Sequence, residues 1–414
     1  MVYAAVLGHG TVGSGVLELF YKNRASIVAK AGDDMDIKYI LEKRDFEGLP
    51  YSEKFVKDYE VIINDPEVRI VVEVMGGLNP AYDFVMRALC AGKSVVTSNK
   101  ELVAAYGAEL LAAARKNNAN FLFEASVGGG IPIIRPLSQC LAANEVIEIA
   151  GILNGTTNFI LTKMAAEKMD FGDALALAQK LGYAERDPSA DIEGLDSCRK
   201  ICILASLAFG RHVYPRDVHT EGITALTAAD IRYAAAWGHV IKLIGRVKKL
   251  DDGRLSAMVS PALISDDSQL ANVGDVFNGI MVRGDAIGDV VFYGRGAGKM
   301  PTASAVVADM IDCVKHLKAR KYLYWKPAKD GYVCDYTEAP CVMCVRARVQ
   351  SRAAALKDAN SLFGKVYEVT EAEMPADEFA FVTPELPEGQ ITRALASFEA
   401  MDHTIISRVR VLDY

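Results

Sequence analysis

An apolar run at residues 3–7 passes straight into Gly8-His9-Gly10-Thr11-Val12-Gly13, with Gly15 two residues later, and an apolar-periodic stretch follows. A strand that ends in G-x-G-x-x-G and opens a helix leaves few folds open. The first glycine permits the tight turn, the second lets the backbone approach a pyrophosphate, and the third lets helix and strand pack closely. The helix start adds free N–H groups and a partial positive charge for phosphates. The pattern alone also occurs as a ligand-free turn; its strand-to-helix setting makes it a dinucleotide loop, with Gly8, Gly10, Thr11, Val12 and Gly13 at the phosphates.

The next 120 residues extend that reading. Strands are predicted at 3–7, 37–41, 61–63, 70–74, 94–97 and 120–124, with helices such as 81–91 and 101–116 between them. Strictly alternating strands and helices imply a parallel sheet covered on both faces. The chain therefore divides into a Rossmann-type domain at 1–130, completed by a helical segment at 300–320, and an α+β domain at 131–299. A linker at 321–339, punctuated by Pro327 and Gly331, leads to a unit at 340–414. That last unit reads strand 342–349, helix 353–363, strand 365–369, strand 378–382, helix 388–401 and strand 404–412, a ferredoxin-like βαββαβ order. The fold class is α/β.

Composition limits the partners. A net charge of −7 and the lack of a basic run disfavour nucleic acid and anionic membranes. No uninterrupted apolar stretch approaches the ~20 residues a bilayer requires, and no basic region precedes the first apolar run. Eight scattered cysteines suit free thiols in a reducing cytosol. Cys341 and Cys344 sit three apart in a β-branched run, so a strand would send them to opposite faces. The six histidines show no metal-ligand spacing.

The end of the second strand reads Glu42-Lys43-Arg44. An acidic residue there would accept from a ribose 2′-hydroxyl, and Arg44 would accommodate a 2′-phosphate. Both types are present; the two adjacent cations favour NADP(H) over NAD(H).

Three further stretches carry chemistry. Thr97-Ser98-Asn99-Lys100 ends a buried strand, where open α/β sheets meet their ligands; Ser98 or Asn99 could equally cap the next helix. The block from Glu185 to Lys200 is an acidic loop that enters a helix. Asp196 and Lys200, four apart, share a face of that helix, and residues 201–210 carry no charge at all. A surface pair at that spacing adds only ~0.2–0.5 kcal/mol, and burying one costs more. Stability is a poor reason for such a pair, and a lysine positioned for catalysis is a better one. The alternative is a lysine that snorkels to water. Gly294-Arg295-Gly296-Ala297-Gly298-Lys299 is a second glycine-rich loop, suited to covering cofactor phosphates.

Taken with Glu124 to Pro132 and Gly151-Ile152-Leu153-Asn154-Gly155-Thr156-Thr157-Asn158, these motifs resemble the homoserine dehydrogenases from residue 1 to about 320. The resemblance implies NAD(P)H-dependent reduction of L-aspartate 4-semialdehyde to L-homoserine, on the route to threonine, methionine and isoleucine. It implies that Lys200 is the general acid, that Lys100 assists between cofactor and substrate, and that Asp196 orients Lys200 or the substrate. Glu185 would bind the substrate amino group with Asp191 and Thr156 nearby, while Thr97, Ser98, Lys100, Arg44 and Gly296 would meet the cofactor. Glu124, Val127, Gly129 and Ile131 match the family's structural monovalent-cation site, sodium held largely by backbone carbonyls. A cytoplasmic homodimer or homotetramer is expected, of the monofunctional kind because no kinase-sized segment precedes Met1.

The C-terminal unit resembles an ACT domain, with oligomerisation or effector binding as its role. The Asp-x-Pro-Gly-type turn usual there reads Ser351-Arg352-Ala353-Ala354. A dehydrogenase of another semialdehyde and a non-catalytic ACT-bearing sensor are the alternatives. A sensor would need no proton donor. Aspartate-semialdehyde dehydrogenase would need a cysteine nucleophile, and Cys198 faces away from Lys200.

Overall fold

Six parallel strands form the first sheet: β1 (Val2–Leu7), β2 (Met35–Leu41), β3 (Phe55–Val56), β4 (Val68–Glu73), β5 (Ser94–Thr97) and β6 (Phe121–Leu122). Their spatial order is β3-β2-β1-β4-β5-β6, the doubly wound dinucleotide-binding arrangement. The structure, a computed structural model, describes residues 1–319 and 323–414. Residue 320, which closes the predicted 300–320 segment, and residues 321 and 322, which open the predicted linker, lie outside the described residues.

β1 is apolar at every position from Ala4 to Leu7 because both faces are buried. Ala4 and Val6 face one core with helices Thr11–Lys22 and Lys299–Lys315. Ala5 and Leu7 face the other with helices Ala81–Cys90 and Lys100–Lys116.

The strand predicted at 61–63 is instead the short helix Tyr59–Ile63. The Asp58 carboxylate caps it by accepting from the Glu60 N–H at 2.9 Å. Tyr59 and Ile62, three apart, point inward while Val61 is exposed, which is helical spacing rather than alternation. The strand predicted at 120–124 keeps only β6; a single 3₁₀ turn, Glu124–Ser126, follows it.

The second sheet has eleven strands. Those of the middle of the chain are β7 (Val146–Ile152), β8 (His219–Thr220), β9 (His239–Lys249), β10 (Leu255–Ser265), β11 (Phe277–Gly284) and β12 (Gly288–Arg295). The C-terminal segment adds β13 (Pro340–Arg348), β14 (Tyr367–Val369), β15 (Glu378–Val382), β16 (Leu386–Pro387) and β17 (Thr404–Leu412), with helices Arg352–Phe363 and Glu388–Glu399. The main path runs β12-β11-β7-β9-β10-β17-β13-β15-β14.

The C-terminal segment has the βαββαβ order, yet it is not set apart. β17 pairs in parallel with β10, Ala262 opposite Arg410, which covers an edge that would otherwise recruit other chains. Arg410 bonds Glu221 at 2.7 and 2.8 Å and also Glu388, while Arg346 pairs with Asp230 at 3.2 Å. Cys341 packs with the C-terminal core and Cys344 with the opposite cluster around Tyr233, as alternation requires.

Trp325, fully buried, fastens the segment after residue 322 to the helix Lys100–Lys116. Its indole N–H donates to His212 Nδ1 at 2.9 Å, and His212 Nε2 in turn bonds the Ala104 carbonyl. A Cβ at Gly107 would stand 2.4 Å from the Trp325 ring. Gly107→Ala is therefore expected to cost about 1–3 kcal/mol through overpacking, read as a lower denaturant midpoint with an unchanged slope.

Candidate active site

The first glycine loop forms as its spacing requires. Gly8 has φ +100°, and a Cβ at Gly13 would lie 2.0 Å from the Gly8 carbonyl oxygen, so only glycine fits there. Gly10 is the N-cap of Thr11–Lys22, with Thr11 and Val12 in its first turn. Behind the loop, Glu42 is bound tightly. Its carboxylate accepts from the N–H groups of His9 at 3.2 Å and Lys43 at 2.9 Å, and it pairs with the exposed Arg44 guanidinium at 3.0 Å. Hydrogen bonding from Arg44 holds the Glu42 carboxyl down at about 2.

Thr97 and Ser98 stand at the carboxyl ends of the strands beside the loop. The Thr97 hydroxyl donates to the buried Glu73 carboxylate at 2.5 Å, and the Ser98 N–H to the Glu73 carbonyl at 3.3 Å. Asn99, not Ser98, caps the next helix, accepting from the Leu102 N–H at 3.1 Å. Lys100 is thereby the first residue of Lys100–Lys116. The second glycine loop returns to this region: Gly298 caps Lys299–Lys315, and Lys299 bonds Glu18 of the first helix at 2.7 Å.

Between this domain and the second sheet lies a cleft of about 450 Å³. Lys100, Asp196 and Lys200 line it together with Thr156, Glu185, Asp191 and Gly296. The helix Leu195–Phe209 begins at Gly194, φ +83°, and is buried at almost every position from Asp196 to Ser206. Lys200 does not snorkel; it is 6% exposed and Asp196 3%. The Lys200 ammonium donates to Asp196 Oδ2 and to the Leu153 carbonyl, each at 2.7 Å. Two of its three protons are thus used, and the third remains for the cleft. Lys100 pairs with the other Asp196 oxygen, Oδ1.

This arrangement separates the two lysines. Burial pulls the Lys200 pKa down; Asp196 opposes the shift, Lys100 adds to it, and the result lies below the ordinary lysine value. For Lys100, burial is outweighed by Asp196, and its pKa rises. Burial would raise the Asp196 carboxyl, but the two ammonium groups hold it below the usual carboxylate range. Lys200 is the more acidic lysine, as a proton donor should be.

Two residues were missed by the sequence reading. Asn154 caps helix Gly155–Ala166 and donates to Asp191 Oδ1 at 2.7 Å and Asp196 Oδ2 at 2.8 Å, joining the two acids. An Asn directly ahead of a helical run was the signal. Glu73 is the other; an acid ending a buried strand was its mark. Thr156 acts locally, its hydroxyl donating to the Tyr183 carbonyl at 2.7 Å.

Glu124 does not offer its carboxylate to a ligand. It accepts from the N–H groups of Ile133, Ile134 and Arg135 at 2.7, 2.8 and 3.0 Å. Val127, Gly129 and Ile131 follow on a buried turn, which the Gly130 N–H ties to the Arg295 carbonyl at 3.1 Å. A second cavity, about 340 Å³, opens between β9, β10 and β17, but its arginines are already paired: Arg246 with Glu148, Arg283 with Asp289, Arg410 with Glu388.

Residues 8–124 match the family model described as homoserine dehydrogenase, NAD binding domain, and residues 132–311 the one described as homoserine dehydrogenase. A homoserine dehydrogenase of Synechocystis is 48% identical over 322 residues, 76% of this chain and 73% of the relative. The chain belongs to the homoserine dehydrogenase family. Members of that family are oxidoreductases, and this one carries their nucleotide-binding domain. A homoserine dehydrogenase structure from Thiobacillus denitrificans superposes with a TM-score of 0.91 at 35% identity, covering 100% of this chain and 98% of that one. A hyperthermophilic archaeal homoserine dehydrogenase in complex with NADPH superposes with a TM-score of 0.63 at 29% identity, covering 75% of this chain and 97% of that one. Among the described residues, no helix is long and apolar enough to cross a membrane.

Proposed function

We propose that this homoserine dehydrogenase reduces L-aspartate 4-semialdehyde to L-homoserine with NADPH, and that Lys200 delivers the proton. The observation that carries this reading is the buried Lys200–Asp196 pair, joined by the half-exposed Lys100, opening onto the cleft. A bound nicotinamide supplies the hydride. As it arrives, negative charge develops on the aldehyde oxygen, and Lys200 protonates it. Asp196 holds Lys200 in line and compensates both lysines. Lys100 adds positive charge on the cofactor side. Glu185 and Asp191 receive the substrate ammonium.

One pH experiment separates this mechanism from others. Reduction needs protonated Lys200 and oxidation needs the free amine. The reduction rate is expected to fall as pH rises through the lowered Lys200 pKa, while homoserine oxidation rises through the same value. Profiles of kcat/KM in both directions check it; limbs of the same sign would contradict it.

Arg44 supports the choice of NADPH. It neutralises Glu42 while keeping 65% of its own side chain exposed, so a 2′-phosphate would meet a cation rather than a bare carboxylate. The archaeal relative bound to NADPH is consistent with this. Arg44→Ala is expected to lower kcat/KM for NADPH by about 10–100-fold, the loss of a charged hydrogen bond, and to affect NADH far less.

We infer that a monovalent cation, sodium, would take the main-chain carbonyls of Glu124, Val127, Gly129 and Ile131. The Glu124 carboxylate is spent on three N–H groups, so a hard cation there would take main-chain oxygens.

A further inference from the structure

Lys242, on β9 behind the cleft, is a buried lysine that the chemistry above does not use. It is 6% exposed, and its ammonium donates to the Val273 carbonyl at 2.6 Å and to Asn158 Oδ1 at 3.2 Å. Burial pulls its pKa down to about 8, and among the described residues no charged neighbour opposes the shift. A buried cation without a counter-charge is costly, so stability alone does not explain the choice of lysine.

What it binds is more telling. Asn158 Nδ2 donates to the carbonyls of Val273, Asp275 and Phe277 at 3.0, 3.0 and 3.1 Å. The Thr162 hydroxyl accepts from the Asp275 N–H at 3.0 Å. These bonds strap down the loop 273–277, in which Asp275 is held at φ +57°, a conformation that side chains other than glycine adopt rarely. The next residue, Val276, lines the cleft, and its carbonyl presses on Gly155, where a Cβ would stand 2.8 Å away. Gly155 opens the helix whose cap, Asn154, joins Asp191 to Asp196.

We propose that Lys242, acting with Asn158, is a positioning residue for the reaction: it straps the 273–277 loop so that Val276 and Gly155 form the substrate wall of the cleft. This rests on the cleft being the aspartate-semialdehyde site. The lysine touches neither substrate nor cofactor, so its effect passes through Val276, and small displacements of such a wall have large kinetic consequences.

Steady-state kinetics of the full chain test the proposal. Lys242→Met, equal in length but without a donor, is expected to raise KM for aspartate semialdehyde about tenfold, with kcat and NADPH affinity changed less than about twofold, the pattern of lost ground-state binding. Asn158→Ala cuts the other half of the same strap, so adding Lys242→Met to it should raise KM little further. An unchanged KM in folded Lys242→Met, or a full tenfold rise in the Asn158→Ala background, would overturn the proposal. If Lys242→Met does not fold, Lys242→Gln, which keeps a donor, carries the same comparison, with a smaller KM rise expected and an unchanged KM contradicting it. Failure of the unmodified chain to turn over aspartate semialdehyde would instead remove the substrate reading itself.

Discussion

Lys200→Ala is expected to lower kcat for aspartate-semialdehyde reduction by about 10²–10⁴-fold, the contribution of a positioned general acid, while NADPH binding stays intact. The split follows from the geometry. Lys200 bonds Leu153 and Asp196 and faces the cleft, whereas the glycine loop lies in the first, parallel-sheet part of the chain. Lys100, with its pKa raised by Asp196, is a poorer donor and would not replace it. Fluorescence titration with NADPH beside steady-state kinetics reads both quantities. Substantial residual turnover would mean that the proton comes from elsewhere.

Asp196→Ala is expected to be the most destabilising change at the site. It would leave Lys200 buried without its carboxylate, and breaking a buried pair in this way costs about 3–5 kcal/mol. The Asp196 carboxyl is held below its unfolded value of ~3.9. Its stabilisation is therefore present at neutral pH and is lost as pH falls below about 4. Urea denaturation at neutral and acidic pH checks this, and the variant should approach the parent only in acid. Activity should change as well. Asp196 is the group that raises the Lys200 pKa, so its removal would move the alkaline limit of the reduction to lower pH.

How much of this was legible in the sequence depended on whether the signal was local. β5, Ser94–Thr97, and β15, Glu378–Val382, match their predicted bounds because buried apolar runs bounded by polar residues mark them. The Asp196–Lys200 pair was legible because four residues along a helix fix one face. Tyr59–Ile63 was misread because three β-branched residues outweighed the Asp58 cap. The pairing of β17 with β10 could not be read, since strand partners as distant in sequence as Ala262 and Arg410 leave no periodic trace. The same holds for Asn154, which meets Asp191 and Asp196 only through the fold. Lys242 carries no mark in the sequence; only the structure reveals Asn158 and Val273 around it.

The most direct measurement is absorbance at the nicotinamide band after mixing the purified chain with NADPH and L-aspartate semialdehyde. A cleft with Lys200 as donor predicts steady loss of the reduced nicotinamide and formation of homoserine, abolished in Lys200→Ala. No oxidation of either NADPH or NADH would contradict it.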